Sequence, residues 1–551
     1  QFSTATYGIR TSQYYFYGQD TWKVLPRLTL TLGGRYEYYS PPYDIHNELM
    51  GLFPGAQSTV FPNAPPNFLY PNDPGTPNRG LVYPDKNNFA PRFGFAWDMF
   101  GNAKLVMRGG FGIFYDIEDG ALNLQYGGQA PFGVVENLNF SSFSGNTTDA
   151  VSDPFTAAGL PPIGSTGGNN PFPFAARGLT GTFLTPKVGF AFTTDPHFRT
   201  PYTEDFNYGF QYQLTPNTML EAVYVGSLGR KLISTTDQNF PSQTIEAQQL
   251  SVDGFINPDC ARPLAACTLD GNQPSSSDPV TTDANGILTG AGQLLTDVSA
   301  GLSDSHQLQV TLDKRWSHGF LSRAAYTFGK TIDLTSGFRE RSSTFSDPLN
   351  FNADRGLADF DVRQRFVLSE IWQLPVGERI KGSKFMDEAL DGWQIGGIIT
   401  FQSGNPIPIQ SGIDSSGFGL GSDRPDITGS IAKFDPRRVQ TINADCLGGS
   451  VTGNFYFDPT NLNCSSVPQF TLGTMGRNVV IGPGINNYDL SFIKRFKVTE
   501  SQSLEFRSEL FNAFNHTQFE NVGRTGFSGT FGQVTTDRGP RLVQFALKYY
   551  F

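Results

Sequence analysis

The sequence lacks both the long apolar runs and the dense charge that other protein classes need. It contains no apolar run of about 18 residues, and its mean hydropathy is -0.28, which excludes membrane-spanning helices. Only 16% of the residues are charged, whereas soluble domains have about a quarter. With a net charge of -10 the chain also lacks the excess of lysine and arginine that nucleic-acid binding requires. We therefore expect no nucleic-acid partner.

Cysteine is scarce as well, with 4 residues in a chain of 551. Cys260 and Cys267 lie in one polar, turn-rich stretch, and Cys446 and Cys464 lie in another. Neither pair has the CxxC spacing or the nearby histidine that a zinc site would need, so zinc is the weaker alternative. The spacing predicts two local disulfides, formed in an oxidising compartment.

Aromatic residues and glycine, in contrast, are abundant: the chain is 14% aromatic and contains 49 Phe and 61 Gly. Residues 541–551 alternate between apolar and more polar side chains at a spacing of two, which predicts a β-strand. A closed membrane barrel suits this ending, because its apolar face contacts lipid and no edge is exposed. The alternative is the last strand of a soluble sandwich. The apolar positions are Val543, Phe545, Leu547, Tyr549 and Phe551.

Similar alternation predicts about thirteen strands along the whole chain. Their predicted ranges are 11–24, 27–39, 89–100, 103–115, 205–214, 218–225, 305–316, 319–331, 362–374, 393–402, 486–497, 503–515 and 541–551. Short turns alternate with long insertions near 41–88, 116–203, 230–303, 333–360, 406–485 and 517–540. This layout predicts an all-β fold, a large antiparallel transmembrane β-barrel with short periplasmic turns and long extracellular loops. Both cysteine pairs would then lie outside the cell.

Charged residues within the strands are expected to face the lumen. Glu505, Arg507 and Glu509 share one face of the penultimate predicted strand. An outward charge at the membrane midplane would cost roughly 2–4 kcal/mol. The simplest interpretation is a solvated ladder of opposite charges, and contact with a plug or a substrate is the alternative. The same interpretation applies to Arg35 with Glu37 and to Arg363 with Arg365.

The residues suggest no enzyme, no cofactor and no metal site. The five histidines are scattered, and none belongs to a recognisable nucleophile or dyad motif. No strand-then-helix pattern flanks Gly417, Gly419 and Gly421, which argues against a phosphate loop. The segment 283–286 (DANG) is expected to be a turn rather than part of a calcium site. The histidines are His46, His197, His306, His318 and His516.

Four stretches resemble the TonB-dependent outer-membrane receptors of Gram-negative bacteria, in particular their Oar-like branch. They are YGQDTWKVLPRLTLTLGGRYE (17–37), SDPLNFNADRGLADFDVRQRF (346–366), GTMGRNVVIGPGINNYDLSFIKRF (473–496) and FRSELFNAFNHTQF (506–519). The terminal Phe551 also resembles the signal that such barrels present to the barrel assembly machinery in the outer membrane. This resemblance implies a plugged barrel of about 22 strands.

The resemblance implies that residues 1–551 are the C-terminal portion of such a barrel, whose signal peptide, plug and TonB box are not in this sequence. An odd count of thirteen strands also predicts an incomplete barrel, since both ends of a bacterial barrel lie in the periplasm. The implied function is ligand uptake, in which external loops capture a ligand and the TonB complex moves the plug. The alternatives are a surface barrel for adhesion or secretion and a passive channel. The sequence does not identify the ligand.

Overall fold

The computed structural model describes residues 8–62, 64–117, 131–132, 187–244, 246–247, 262–263, 281–282, 288–337, 345–375, 391–418 and 423–551. Within these ranges the regular structure is almost entirely β-strand, apart from helical residues at 243–244 and 246–247 and two 3-10 turns at Phe351–Asp354 and Asp445–Leu447. None of the described helices has the length and apolarity needed to cross a membrane. A single 16-stranded sheet dominates the fold.

Thirteen strands of this sheet follow one continuous path in sequence order, and every neighbouring pair along it is antiparallel. We call this path the wall. The predicted all-β antiparallel fold is thus confirmed. The strands are β1 (Gln13–Leu25), β2 (Leu28–Tyr39), β3 (Asn88–Asp98), β4 (Leu105–Tyr115), β5 (Tyr202–Thr215), β6 (Thr218–Asp237), β7 (Leu288–Ser317), β8 (Phe320–Asp333), β9 (Gln364–Gln373), β10 (Trp393–Gln402), β11 (Ile485–Lys497), β12 (Ser503–Phe511) and β13 (Leu542–Tyr550).

The short connections all lie at one end of the wall, and particular turn residues stabilise them. Between β3 and β4 the Asp98 carboxylate accepts hydrogen bonds from the backbone N–H groups of Gly101 and Ala103, each at 2.9 Å. Between β7 and β8, His318 and Gly319 both have positive φ, 52° and 74°, as a tight two-residue hairpin turn requires. We call this the short-turn end and the opposite one the long-loop end.

The wall has one apolar and one polar face. On one face, apolar residues lie directly opposite one another on neighbouring strands and form a row, for example Phe492, Ile395 and Trp372. On the other face Asp313 lies opposite Arg323. All five tryptophans lie close to the short-turn ends of their strands, where indole rings suit a membrane–water interface. They are Trp22, Trp97, Trp316, Trp372 and Trp393.

Two predicted strand ends are wrong, because β6 continues to Asp237 and β7 begins at Leu288. Part of the predicted loop 230–303 is therefore strand, and Lys187–Thr194 pairs with it in parallel. The sequence offers no apolar alternation here, since both faces of the extension are buried. Its polar groups are paired instead: Thr235 Oγ1 donates to Asp297 Oδ1 at 2.8 Å. Thr235 and Asp297 are both almost fully buried.

The long insertions, predicted as extracellular loops, have internal structure in the described residues. They contain short antiparallel pairs, and the fully buried aromatic side chains found among the described residues lie in them. The wall has no comparable core, because one of its faces is apolar and outward and the other is polar. These buried aromatic residues are Phe68, Tyr70, Phe345, Phe455, Phe457 and Phe531. The short pairs are Ile9–Arg10 with Tyr43–Asp44, Gly51–Leu52 with Phe68–Leu69, Pro406–Ile407 with Val480–Ile481, Asp426–Ile427 with Leu462–Asn463 and Gln440–Ala444 with Gly449–Gly453. Two further short strands, Thr281–Thr282 and Gly356–Leu357, extend the main sheet.

The two outermost strands of the wall each pair on one side only within the described part of the chain. β1 pairs with β2, and β13 pairs with β12. Nearly every side chain of β1 and β13 is exposed on both faces. The wall therefore ends in two unpaired edges.

Candidate functional site: the polar face and the loop layer

An ion-pair ladder lies on the polar face of β11 and β12. The Glu505 carboxylate binds Arg495 Nη2 at 2.8 Å and Arg507 Nη2 at 3.0 Å. Arg507 Nη1 continues the ladder to Glu509 Oε1 at 3.6 Å. Glu505 is buried, whereas Arg507 and Glu509 are part-exposed. The predicted group of three charges thus lies together on one face, with Arg495 added by the neighbouring strand.

The other predicted lumenal charges differ from one another. Arg35 Nε lies 2.5 Å from Glu37 Oε1, on the same face of β2, and the hydroxyl of Tyr39 donates to the other carboxylate oxygen. Arg365 lies on the polar face of β9, whereas Arg363 precedes that strand at the long-loop end. Neither Arg363 nor Arg365 has an ionic partner among the described residues, so these two do not form a ladder.

The terminal strand β13 places its alternating apolar residues on the apolar face of the wall. Phe545 pairs with Ser508, which pairs with Phe492 in the apolar row. Phe545 and Leu547 are the most exposed of these strand residues, at 67% and 66%. Exposure of large apolar side chains on this scale needs an apolar surrounding.

The last two long loops, 403–484 and 512–541, pack together around a shared apolar core. Ile409, Phe457, Leu462 and Phe531 are buried in it together with a disulfide. Cys446 and Cys464 form that disulfide, with their Cα atoms 5.0 Å apart. Cys260 and Cys267 lie outside the described residues, so their pairing remains a prediction. We call the packed long loops the loop layer.

Two arginines tie loop 403–484 to loop 334–363. Arg424 Nη1 lies 2.6 Å from Asp354 Oδ1, and its Nη2 donates to the carbonyl oxygen of Ala353 at 3.0 Å. Arg477 Nη1 lies 2.5 Å from Asp333 Oδ1, and its Nη2 lies 3.1 Å from Asp359 Oδ1. Both arginine side chains are only 11% exposed, so these pairs act as locks within the loop layer.

Sequence reasoning missed these locks, although a signal was present. Asp354, Asp359 and Arg477 belong to stretches 346–366 and 473–496, which carry the resemblance to receptors. The paired residues are 70 to 144 residues apart in sequence, and charge pairs at such separations have no periodicity that would predict them. Only the fold shows that the two stretches touch.

A cavity of about 120 Å³ lies at the long-loop end of the first strands. Leu49, Leu81 and Phe198 give it an apolar lining, and Tyr39 and Asp116 add polar groups. A second carboxylate of its lining, Asp85, is buried and accepts a backbone hydrogen bond from Thr200 at 3.0 Å. An apolar cavity with a few polar groups is the usual form of a small-ligand site.

A buried acid marks the junction between loop 238–247 and loop 403–484. Both carboxylate oxygens of Glu246 are buried without a hydrogen-bond partner. Burial and the neighbouring Asp414 raise its pKa to about 7, which Arg262 partly opposes. Burial also raises the pKa of Asp423, against the hydrogen bonds it accepts from Ser416.

Each of the five histidines singled out in the sequence lies in a turn or makes a hydrogen bond or ring contact. His318 is in a tight turn, His306 accepts or donates a hydrogen bond with the Tyr224 hydroxyl at 2.8 Å, and His516 contacts Gln518 at 3.0 Å. His46 donates a backbone hydrogen bond to Asp44, and His197 stacks on Tyr83. No group of His, Cys, Asp and Glu in the described ranges is arranged to hold a metal ion. Gly417 lies in a turn, and Gly419, Gly421 and 283–286 lie outside the described residues.

Residues 1–544 match the family described as "Outer membrane beta barrel domain". The wall with an apolar and a polar face is the architecture of that class, and the chain belongs to this family. It is a protein of the Gram-negative outer membrane. No curated protein sequence matches it.

Similar solved structures are larger transport and receptor proteins. The outer membrane transporter YddB from Escherichia coli shares 11% identity at a TM-score of 0.44, over 98% of this chain and 45% of that one. The ferripyoverdine receptor of Pseudomonas aeruginosa shares 10% at 0.38, over 99% and 39%. The siderophore receptor PiuA from Acinetobacter baumannii shares 10% at 0.37, over 98% and 43%. This chain thus spans less than half the length of each of them.

Proposed function

We propose that residues 1–551 form the C-terminal portion of the barrel of a TonB-dependent receptor, which takes up a ligand across the outer membrane. The observation that carries this proposal is the pair of unpaired edges on β1 and β13. Each unpaired backbone group in hydrocarbon costs several kcal/mol, which supports the proposal that further strands complete the wall. The four stretches that resemble Oar-like receptors support the same assignment.

In this proposal the long-loop end faces outward and the short turns face the periplasm. The loop layer supplies the capture surface, and its arginine locks hold that surface in shape. The apolar cavity beside Tyr39 is the best candidate for ligand contact. The charge ladder of Glu505 and Arg507 faces the lumen as a solvated set of opposite charges, and contact with the plug or the passing ligand is the alternative. The barrel itself does no covalent chemistry.

The partners follow from the mechanism. Outer-membrane lipid surrounds the apolar face, and the barrel assembly machinery recognises the terminal Phe551. The TonB complex engages the plug region of the complete protein.

The test uses the complete protein encoded by the gene, purified from outer membranes. We expect a plug and a TonB box upstream of residue 1, and binding of the periplasmic domain of TonB at micromolar affinity, lost when the box is deleted. A complete protein without a plug, or one that does not bind TonB, would overturn the proposal.

Conductance distinguishes the alternatives. A plugged receptor in a planar bilayer is expected to give almost no steady current until the plug is removed. A large steady current from the complete protein would favour a passive channel. A closed barrel that neither conducts nor binds TonB would favour a surface barrel for adhesion or secretion.

A further inference from the structure

A group of cations lies on the apolar face of the wall at its long-loop end. The rows below it are aromatic and aliphatic: Leu308 pairs with Phe328, and both are at least 40% exposed. One row further along, His306 pairs with Lys330. We call the group the rim patch. It consists of the cations Arg230, Lys231, Lys330 and Arg355, together with Asp304 and His306.

The rim patch is ordered around one carboxylate. Asp304 Oδ1 lies 2.8 Å from Arg230 Nη1, and Asp304 Oδ2 lies 3.5 Å from Arg355 Nη2. Half of the Arg355 side chain remains exposed, at 54%. Asp304 therefore holds two guanidinium groups side by side. Arg230 Nη1 also donates to the carbonyl oxygens of Gly229 and Ser303, at 2.9 and 3.2 Å, so Arg355 is the more accessible of the two arginines.

Two further cations flank this centre. Lys330 is exposed and makes no ion pair or hydrogen bond with any of the described residues. Lys231 Nζ lies 5.5 Å from the centre of the Tyr202 ring. The four cations Arg230, Arg355, Lys231 and Lys330 are opposed by two carboxylates, Asp304 and Glu204. Glu204 lies on the same face, two residues before Phe206. The patch is thus net positive in a chain whose net charge is -10.

The aromatic row next to the rim patch indicates how deep in the membrane the patch lies. Tyr224 hydrogen-bonds His306, and Phe206 contacts the same imidazole ring, with 6.3 Å between ring centres. Aromatic rows in outer-membrane barrels lie at the interface between hydrocarbon and headgroups. Cations one row beyond such a belt reach the level of the lipid headgroups, which are the nearest anions available.

We infer that the rim patch binds the phosphate groups of an outer-leaflet lipid. Arginine and lysine are the side chains that recognise phosphate, the former through its planar donor fork. The inference rests on the proposed orientation, with the long-loop end outside. It does not depend on transport or on TonB.

The experiment titrates the complete protein, purified from outer membranes, with three lipids: bisphosphorylated lipid A, dephosphorylated lipid A with the same acyl chains, and phosphatidylglycerol. Native mass spectrometry counts the bound lipid. We expect bisphosphorylated lipid A to bind at least ten-fold more tightly than the other two. Equal binding of the dephosphorylated lipid would overturn the inference, because the acyl chains alone would then explain binding. Preference for phosphatidylglycerol would overturn the outer-leaflet assignment without bearing on TonB binding.

Variants assign the binding to the patch. Since each cation near an anionic surface contributes about 1 kcal/mol, Lys330→Gln should weaken binding about five-fold and Lys330→Gln with Arg355→Gln about twenty-five-fold. Arg323→Gln is the matched control, because Arg323 lies on the same strand but on the polar face and is 64% exposed. Unchanged affinity in the double variant, or an equal loss in the control, contradicts the inference. If the double variant does not form a heat-modifiable barrel, Lys330→Gln alone decides, because the Lys330 side chain makes no ion pair or hydrogen bond with the described residues.

Discussion

Arg477 and Asp333 are 144 residues apart in sequence, and their side chains meet at 2.5 Å. Asp333 ends β8, whereas Arg477 comes from the loop between β10 and β11. The same guanidinium donates to Ser336 Oγ at 2.7 Å and reaches Asp359. One side chain therefore connects the rim of the wall, loop 334–363 and loop 403–484.

The first prediction is that Arg477→Gln loosens the loop layer but not the wall. Removal of one partner from a buried ion pair costs about 3–5 kcal/mol, because the other charge stays buried and unpaired. We expect faster cleavage of the long loops by protease added to whole cells, while the barrel keeps its heat-modifiable migration.

Arg437→Gln is the control for this prediction, because Arg437 is half exposed and lies 4.0 Å from Asp435. A surface pair of this kind contributes about 0–1 kcal/mol. Equal protease resistance of Arg477→Gln and Arg437→Gln would show that Arg477 is not a lock.

The second prediction concerns the cysteines. If the long-loop end is external, a membrane-impermeant thiol reagent should label whole cells only after reduction, at Cys446 and Cys464 and at Cys260 and Cys267. A Cys446→Ser, Cys464→Ser variant should lose about 2–4 kcal/mol of stability in its loop region. Labelling that requires a broken outer membrane would contradict the proposed sidedness, and labelling without reductant would contradict the pairing.

The third prediction follows from the raised pKa of Glu246. Its pKa is about 7 in the folded loop layer against 4.5 for an exposed glutamate, because of burial and the charge of Asp414. The folded state binds the extra proton, so this contribution is fully favourable below about pH 4.5. It is lost as the pH rises from about 4.5 through 7.

Hydrogen exchange at the contact of Gln243 with Ser416 measures this effect. That contact, in which Gln243 Nε2 donates to the Ser416 carbonyl oxygen at 2.9 Å, joins the two loops beside Glu246. After correction for the pH dependence of intrinsic amide exchange, we expect lower protection there at pH 7.5 than at pH 5, and no such difference in protection in Glu246→Gln. Glu520→Gln, at an exposed ion pair, should keep the wild-type pH dependence. A pH dependence that survives Glu246→Gln would exclude this carboxyl as its source.

The sequence predicts the wall well, because a period of two is a local signal. β10, for instance, begins and ends where its alternation does, at Trp393 and Gln402. The extension of β7 was not predictable in the same way, since its buried residues there include Thr296 and Asp297. Those polar side chains are satisfied by partners distant in sequence. The locks at Arg424 and Arg477 were missed for the same reason.

The candidate site also contains some residues that a local sequence pattern predicts and others that only the fold brings together. The charges of Glu505, Arg507 and Glu509 share a strand face, which alternation alone predicts. Lys330 and Arg355, in contrast, come from a strand and a turn, and only the register of β7 with β8 brings them to one rim. Sequence patterns report which face a residue occupies, but not which loop meets that face.

The last prediction tests the facing of the terminal strand. Phe545→Asp places a carboxylate on the apolar face, where it loses the transfer free energy of the ring, roughly 2 kcal/mol, and adds the cost of a charge in lipid. Removal of Phe551 deletes the terminal aromatic that the assembly machinery is proposed to recognise. Both changes should reduce the heat-modifiable barrel recovered from outer membranes several-fold.

Ala546→Asp is the matched control, one residue further along the same strand. Ala546 lies on the polar face and pairs directly with Arg507, so a carboxylate there meets a guanidinium group instead of lipid. We expect Ala546→Asp to assemble at close to the wild-type level, because a cross-strand pair of opposite charges is stabilising by about 0.2–1 kcal/mol. Normal assembly of Phe545→Asp together with failure of Ala546→Asp would reverse the facing of β13, and with it the assignment of the polar face to the lumen.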